Sequence, residues 1–272
     1  MNNFSNWMNG ALATCRFEIQ RSFSLQRLVA SLVLIVFPPL MTWVIIQGGL
    51  RSPRGEVLEY VLFTIIFLVA LVCLLSLLLW ATPNVYGELE GKTWSFIATR
   101  PGGRISNFLG KYVTAVLVSF LTTFFALTLC VVVANRYGTL GGGSEPWEKW
   151  GILTGIFAIA CVVYGAILSM IGAWFTKRAM VVGAGYLIAA ETVLSMVPAV
   201  VSSFTMSYHL RRLGELWLGW FLPDEQMEYE MIFGQPGPTW FHLVCLCTAL
   251  VASIVIGCLI VSNRQYAIGE ET

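Results

Sequence analysis

The chain has 272 residues, of which 57% are hydrophobic and only 11% charged, with a mean hydropathy of +0.75 and a formal net charge of +1. That balance excludes an ordinary soluble domain, and no nucleic-acid partner is expected because no basic excess exists to hold phosphates. It places the chain among integral membrane proteins, whose helical spans need roughly 20 apolar residues each.

Residues 1–27 precede the first apolar run. Phe4, Trp7, Met8, Ala11, Leu12, Cys15, Ile19 and Phe23 recur there at spacings of three and four, opposite Asn6, Asn9, Gln20 and Arg21. This pattern predicts an amphipathic helix lying in the interface of the inner leaflet, or else a leader packed on the bundle. Glu18 and Phe17 interrupt the stripe. No cleavable signal is expected, since the first apolar run is already of span length.

Six stretches in the segment 28–261 are long and apolar enough to cross a bilayer: Leu28 to Gln47, Leu58 to Ala81, Tyr112 to Ala134, Gly151 to Phe175, Ala179 to Val201 and Thr239 to Val261. Helices are expected rather than barrel strands, because Leu62 to Leu79 is apolar almost throughout and does not alternate. The expected fold is therefore all-α, with six transmembrane helices behind the interfacial helix. Pro38-Pro39 should kink the first span.

The inner loop at 82–111 holds the chain's one dense charged block: Glu88, Glu90, Gly91, Lys92, Thr93, Thr99, Arg100, Pro101, Arg104, Gly110 and Lys111. In the fourth span Gly151, Gly155, Gly165, Ser169 and Ala173 form a stripe of small residues suited to close helix approach, either at a dimer seam or inside the bundle. In the fifth, Glu191 is the one ionisable residue deep in lipid, where a charge costs on the order of 3 kcal/mol. It should face the bundle interior, be protonated, or both, with Ser195 one turn on as a candidate partner. Both a pathway group and a residue bonded to neighbouring helices fit it.

The outer segment at 202–238 contains Leu210, Leu213, Leu216, Trp217, Trp220 and Phe221. By composition alone a surface-lying amphipathic turn is favoured over a re-entrant helical pair. A short tail, 262–272, follows the last span. Of the sixteen Lys and Arg, ten fall on the side of the termini and six on the other. The excess predicts that both termini are cytoplasmic. Seven cysteines, six of them inside spans, offer neither a disulfide framework nor a zinc site.

Gly87 to Thr93 invites comparison with a phosphate-cradling loop, but that motif needs four residues between its first glycine and Gly-Lys-Thr, and here there are three. Tyr86 stands where the glycine should be, so no nucleotide site is expected on this chain.

The block does resemble the inner loop of permease subunits of the ABC-2 family of ATP-driven transporters. In that family an acidic stretch after the second span leads to Gly-Lys/Thr-Thr, a Thr-x-Pro element with a basic residue, and Gly-Lys opening the third span. Glu88, Glu90, Gly91, Lys92, Thr93, Thr99, Pro101, Arg104, Gly110 and Lys111 match it, as does a leader bearing Glu18 and Arg21. The resemblance implies a transport subunit that is not itself an enzyme. A separate ABC ATPase would supply ATP and Mg, with Glu88 to Arg104 lying against it as a coupling segment. It further implies a homodimer or heterodimer of permeases in the inner or plasma membrane, most often an exporter. The substrate is not implied.

Two other classes compete. A noncatalytic membrane scaffold would keep the docking loop without substrate movement. An intramembrane enzyme is poorly provisioned: Asp224 is the only aspartate, no His-Glu-x-x-His occurs, and His209 and His242 fall near the outer boundary. A channel is weaker still, since Val182 to Tyr186 lacks the residue order of a potassium filter.

Overall fold

The computed structural model describes residues 2–22, 24–49, 54–90, 93–99, 102–138, 144–194, 202–218 and 237–266. The described residues form helices α1 (Asn2–Ser22), α2 (Leu25–Gly49), α3 (Arg54–Ala81), α4 (Tyr86–Glu90), α5 (Trp94–Ala98), α6 (Gly103–Arg136), α7 (Glu145–Trp174), α8 (Ala179–Tyr186), α9 (Met206–Leu218) and α10 (Thr239–Asn263). A 3₁₀ turn, Thr82–Asn84, links α3 to α4. No strand occurs among the described residues.

Five helices are long and apolar enough to cross a membrane, at Leu25–Gly48, Val61–Asn84, Gly103–Arg136, Glu145–Trp174 and Thr239–Asn263. The chain is a multi-pass membrane protein. The expected fifth span differs: α8 passes into a π-helical stretch, Leu187–Val193, giving a shorter apolar helix, Ala179–Val193. Its continuation, with Ser195 and Pro198, lies outside the described residues.

Helix α7 is the central member, with 78% of its most apolar window buried, against 22% for α2 and α10 at the periphery. Lipid is as oily as leucine, so the helices are joined by close contact and by small polar groups. Ser76 on α3 donates to Ser119 on α6 at 3.0 Å, the Tyr112 hydroxyl donates to the Val162 carbonyl at 3.0 Å, and the sulfurs of Cys73 and Cys161 lie 3.4 Å apart between α3 and α7. In α2, Pro38 and Pro39 lie inside one continuous helix and are buried.

One boundary of the sequence reading is corrected. Residues 103–111 are not loop; they are the opening turns of α6. Gly102, at φ 69°, takes the left-handed conformation that turns the chain into the helix. Arg104 and Lys111, the charged residues of this stretch, bond within the protein, so α6 extends beyond its apolar run.

Hydrogen bonds sort the helix ends into two sets. At one end Arg104 donates to the Ser262 carbonyl at 3.1 Å, Tyr266 donates to the Ala173 carbonyl at 2.9 Å, and α1 lies against the start of α6. At the other, Trp43 donates to the Tyr137 hydroxyl at 3.0 Å and His209 meets His242. The segments leading from the first residues and into the last therefore share one end of the bundle.

Candidate functional site

The charged block is organised around Lys111. Its ammonium donates to the Glu88 carboxylate and to the Asn84 carbonyl at 3.0 Å, and lies 3.5 Å from Glu18 of α1. Glu88 also accepts from the Thr93 hydroxyl, and Asn84 donates its side-chain amide to Ser169 of α7 at 3.0 Å. Glu18 lies 3.7 Å from Arg21 and 3.9 Å from Arg27. One polar chain thus runs through α1, α2, the 3₁₀ turn, α4, α6 and α7. Burial works to raise the Glu88 carboxyl's pKa, but the charge and hydrogen bond of Lys111, with the Thr93 hydroxyl, hold it below the ordinary carboxylate value. A buried cluster of this kind fixes geometry more than it adds net stability.

Helix α1 reaches this cluster because two glycines let it approach. A Cβ on Gly10 would meet the Ser106 hydroxyl at 2.9 Å, and one on Gly110 would meet the Ala11 carbonyl at 2.7 Å. Thr114 then donates toward the Cys15 sulfur at 3.3 Å. The predicted stripe therefore splits. Ala11 and Cys15 face α6, while Leu12, Phe17 and Ile19 point outward, as an apolar face in contact with lipid would. Glu18, which interrupted the stripe, is the residue that enters the cluster.

The loop residues fall into two groups. Glu88, Thr93 and Lys111 come together, with Gly110 beside them where α1 crosses α6. Thr99 and Arg104 stand apart: the Thr99 hydroxyl donates to the Phe96 carbonyl at 3.2 Å, and Arg104 reaches Ser262. Glu90 ends α4. Gly91, Lys92, Arg100 and Pro101 lie outside the described residues. Helix α5 is anchored by Trp94, which is buried and packs edge-on to Tyr266 with ring centroids 4.9 Å apart. Two residues later Phe96 is 72% exposed. The short helix is thus fastened on one face and presents an aromatic ring on the other.

Glu191 is buried in the π-helical stretch, where four donors meet its carboxyl group. The Tyr186 and Tyr164 hydroxyls donate at 2.6 and 2.8 Å, and the backbone N–H groups of Ser207 and Met206 at 2.8 and 3.4 Å. The last two open α9, so the carboxyl group sits at that helix's positive end. The wider π turn, seen also in the Thr192 hydroxyl reaching back five residues to Leu187, aims Glu191 at α7 and α9. The group faces the bundle interior, as expected; Ser195, its anticipated partner, is outside the described residues.

The outer segment corrects the reading from composition. Helix α9 does not lie on a surface: it buries His209, Arg212, Leu213 and Gly214 against α7 and α10. The face that would suit headgroups fits an interhelical groove equally well, and Glu191 fixes the helix start there. Residues 219–236 lie outside the description. His209 donates from Nε2 to the Ser203 carbonyl at 2.9 Å, so in a neutral pair its Nδ1 accepts from His242 Nδ1, also at 2.9 Å. Burial lowers the His209 pKa against the opposing pull of the Ser203 carbonyl and Glu191. Arg212, also buried, pairs with Glu215 at 2.8 Å.

The stripe of small residues also divides. Gly165 meets Val116 and Leu77, Ser169 accepts from Asn84, and the Ala173 carbonyl accepts from Tyr266, whereas nothing lies within 4 Å of a Cβ built on Gly151 or Gly155. Gly172, not singled out from sequence, allows the tightest approach, against the Thr82 backbone. Asn84, Tyr164, Tyr186 and Arg212 were missed as well: Asn84 and Arg212 are polar residues beside spans, and Tyr164 and Tyr186 are single tyrosines within them. No group of three metal-ligating side chains occurs among the described residues. Searches against family models and curated proteins return no match.

Proposed function

We propose that the chain is the membrane permease of an ATP-driven transporter of the ABC-2 type, exporting a substrate with ATP hydrolysed by a separate subunit. The observation that carries this reading is the platform at the shared end of the bundle. There Glu88 of α4 is tied to Lys111 of α6 and accepts from Thr93, just before α5, while Asn84 of the 3₁₀ turn accepts from Lys111 and donates to Ser169 of the central helix α7. Force applied at α5 would pass through ionic and hydrogen-bonded contacts into the longest helix and the most buried one. The resemblance of the loop to ABC-2 permeases supports the reading, as does the excess of Lys and Arg on the side of the termini, on which this account assigns that end to the cytosol and the protein to the inner or plasma membrane. Exposed Phe96 supplies the aromatic anchor a docking surface needs.

In this account the chain binds no nucleotide. ATP closes two ATPase subunits, the paired inner loops follow, and two permeases, identical or different, rock between inward-open and outward-open states. Nucleotide drives this only if it binds the two states with different affinity. The test is co-purification with a candidate ATPase and measurement of ATP turnover. Glu88→Ala should reduce coupled turnover at least tenfold, whereas unchanged assembly and turnover would refute the assignment.

A further inference from the structure

From the elbow between α1 and α2 we infer a binding site for the phosphate of an anionic membrane lipid. A cavity of about 50 Å³ opens there, lined by Arg21, Arg27, Glu18, Trp80, Asn84 and Lys111, among others. The arginine side chains are 46% and 35% exposed, so both are partly open to the outside while bordering the cavity. At 3.7 and 3.9 Å from Glu18 the two arginines form ion pairs rather than short hydrogen bonds, a geometry in which their N–H groups can still meet a further acceptor. Lys111 is committed to Glu88. Among the described residues the cluster holds three cations, Arg21, Arg27 and Lys111, and two carboxylates, Glu18 and Glu88.

Arg27 is held in place by Trp80, its guanidinium 4.9 Å from the ring centroid. A guanidinium held over an aromatic ring keeps its N–H groups for other partners, and such groups bind phosphate oxygens in pairs. The surroundings point to the source of the phosphate. Leu12 and Phe17 on α1 and Leu25, Leu28 and Val29 on α2 are all exposed. The elbow therefore lies where the apolar face of α1 meets the lipid-facing start of the first span, at headgroup depth. An anionic diacyl phospholipid can place its phosphate between the two arginines and its chains along these leucines. Free phosphate shares the first contact but not the second.

The test uses the full chain purified in a neutral detergent, with lipid retention read by native mass spectrometry. Phosphatidylglycerol is titrated in one arm and inorganic phosphate in the other, with phosphatidylcholine as the neutral control. The native chain should retain phosphatidylglycerol at least tenfold more strongly than phosphatidylcholine. Arg21→Gln with Arg27→Gln should abolish the preference, while Arg16→Gln, exposed elsewhere on α1, should keep it. Arg21→Lys with Arg27→Lys, which keeps the charge, should fall between them and shows that the loss is not a folding defect. Displacement of the lipid by millimolar inorganic phosphate would assign the site to phosphate from either source, still through the same arginines. A preference that survives the double Gln change, or that Arg16→Gln removes equally, overturns the site.

Discussion

Lys111 and Glu88 are 23 positions apart in sequence, on α6 and α4, yet the ammonium of one donates directly to the carboxylate of the other. Both are buried, at 5% and 7% exposure. Removing one partner strands the other's charge, with a cost on the order of 3 kcal/mol. Lys111→Met should therefore lower the thermal midpoint of the detergent-solubilised protein sharply. Combining it with Glu88→Gln should cost less than the sum of the two single changes, as a double-mutant cycle would show.

Glu191 makes a second prediction. Glu191→Ala removes the acceptor for two tyrosine hydroxyls and two N–H groups at the start of α9, an expected loss of about 2–4 kcal/mol by unfolding measurements in detergent. Glu191→Gln keeps one carbonyl oxygen and should lose less than half of that. Equal losses for the two variants would show that packing, not hydrogen bonding, holds α9 at this point.

The glycines of α7 should respond unequally. Gly172→Ala puts a methyl group into the Thr82 backbone, where only a shift of the turn or of α7 can relieve it, so a loss of at least about 2 kcal/mol is expected. Gly151→Ala meets nothing and should stay within about 0.5 kcal/mol. Thermal midpoints of the two variants, measured side by side, check the contrast.

How much of this was legible beforehand depended on whether a feature is local. The long apolar runs announced five of the membrane helices, and the leader's spacing announced α1, because both patterns repeat within a few residues. Lys111 looked like the end of a loop, because its partners Glu18 and Glu88 come from other elements and no spacing rule links them. Glu191 stood out as a charge in an apolar run, but Tyr164 looks like any packing aromatic until α7 and α8 are side by side. The surface preference for α9 failed for a related reason: an amphipathic face does not declare whether lipid headgroups or a groove between helices will cover it.

The histidine pair gives a dependence on pH. Burial lowers the folded-state pKa of His209 below its ordinary value of 6.5, so the unfolded chain takes up a proton more readily below that point. Stability is thus fully present above about pH 6.5 and declines as pH falls through that value. The depressed pKa of Glu88 acts in a separate window. Its contribution is present above about 4.5 and is lost only as pH falls through the lower folded value. The thermal midpoint should fall between pH 7.5 and 5.5, and His209→Gln should flatten that step; an unchanged step would assign it to other groups.

The central claim, that α5 is the face on which an ATPase acts, is tested most directly at Phe96. A photo-crosslinking phenylalanine analogue placed there keeps an aromatic ring at an exposed position, and its products in living cells can be identified by mass spectrometry. The account predicts a crosslink to a soluble nucleotide-binding subunit, with a yield that changes when ATP is trapped. Crosslinks to lipid or to extracellular proteins alone, or a yield indifferent to nucleotide, would contradict it.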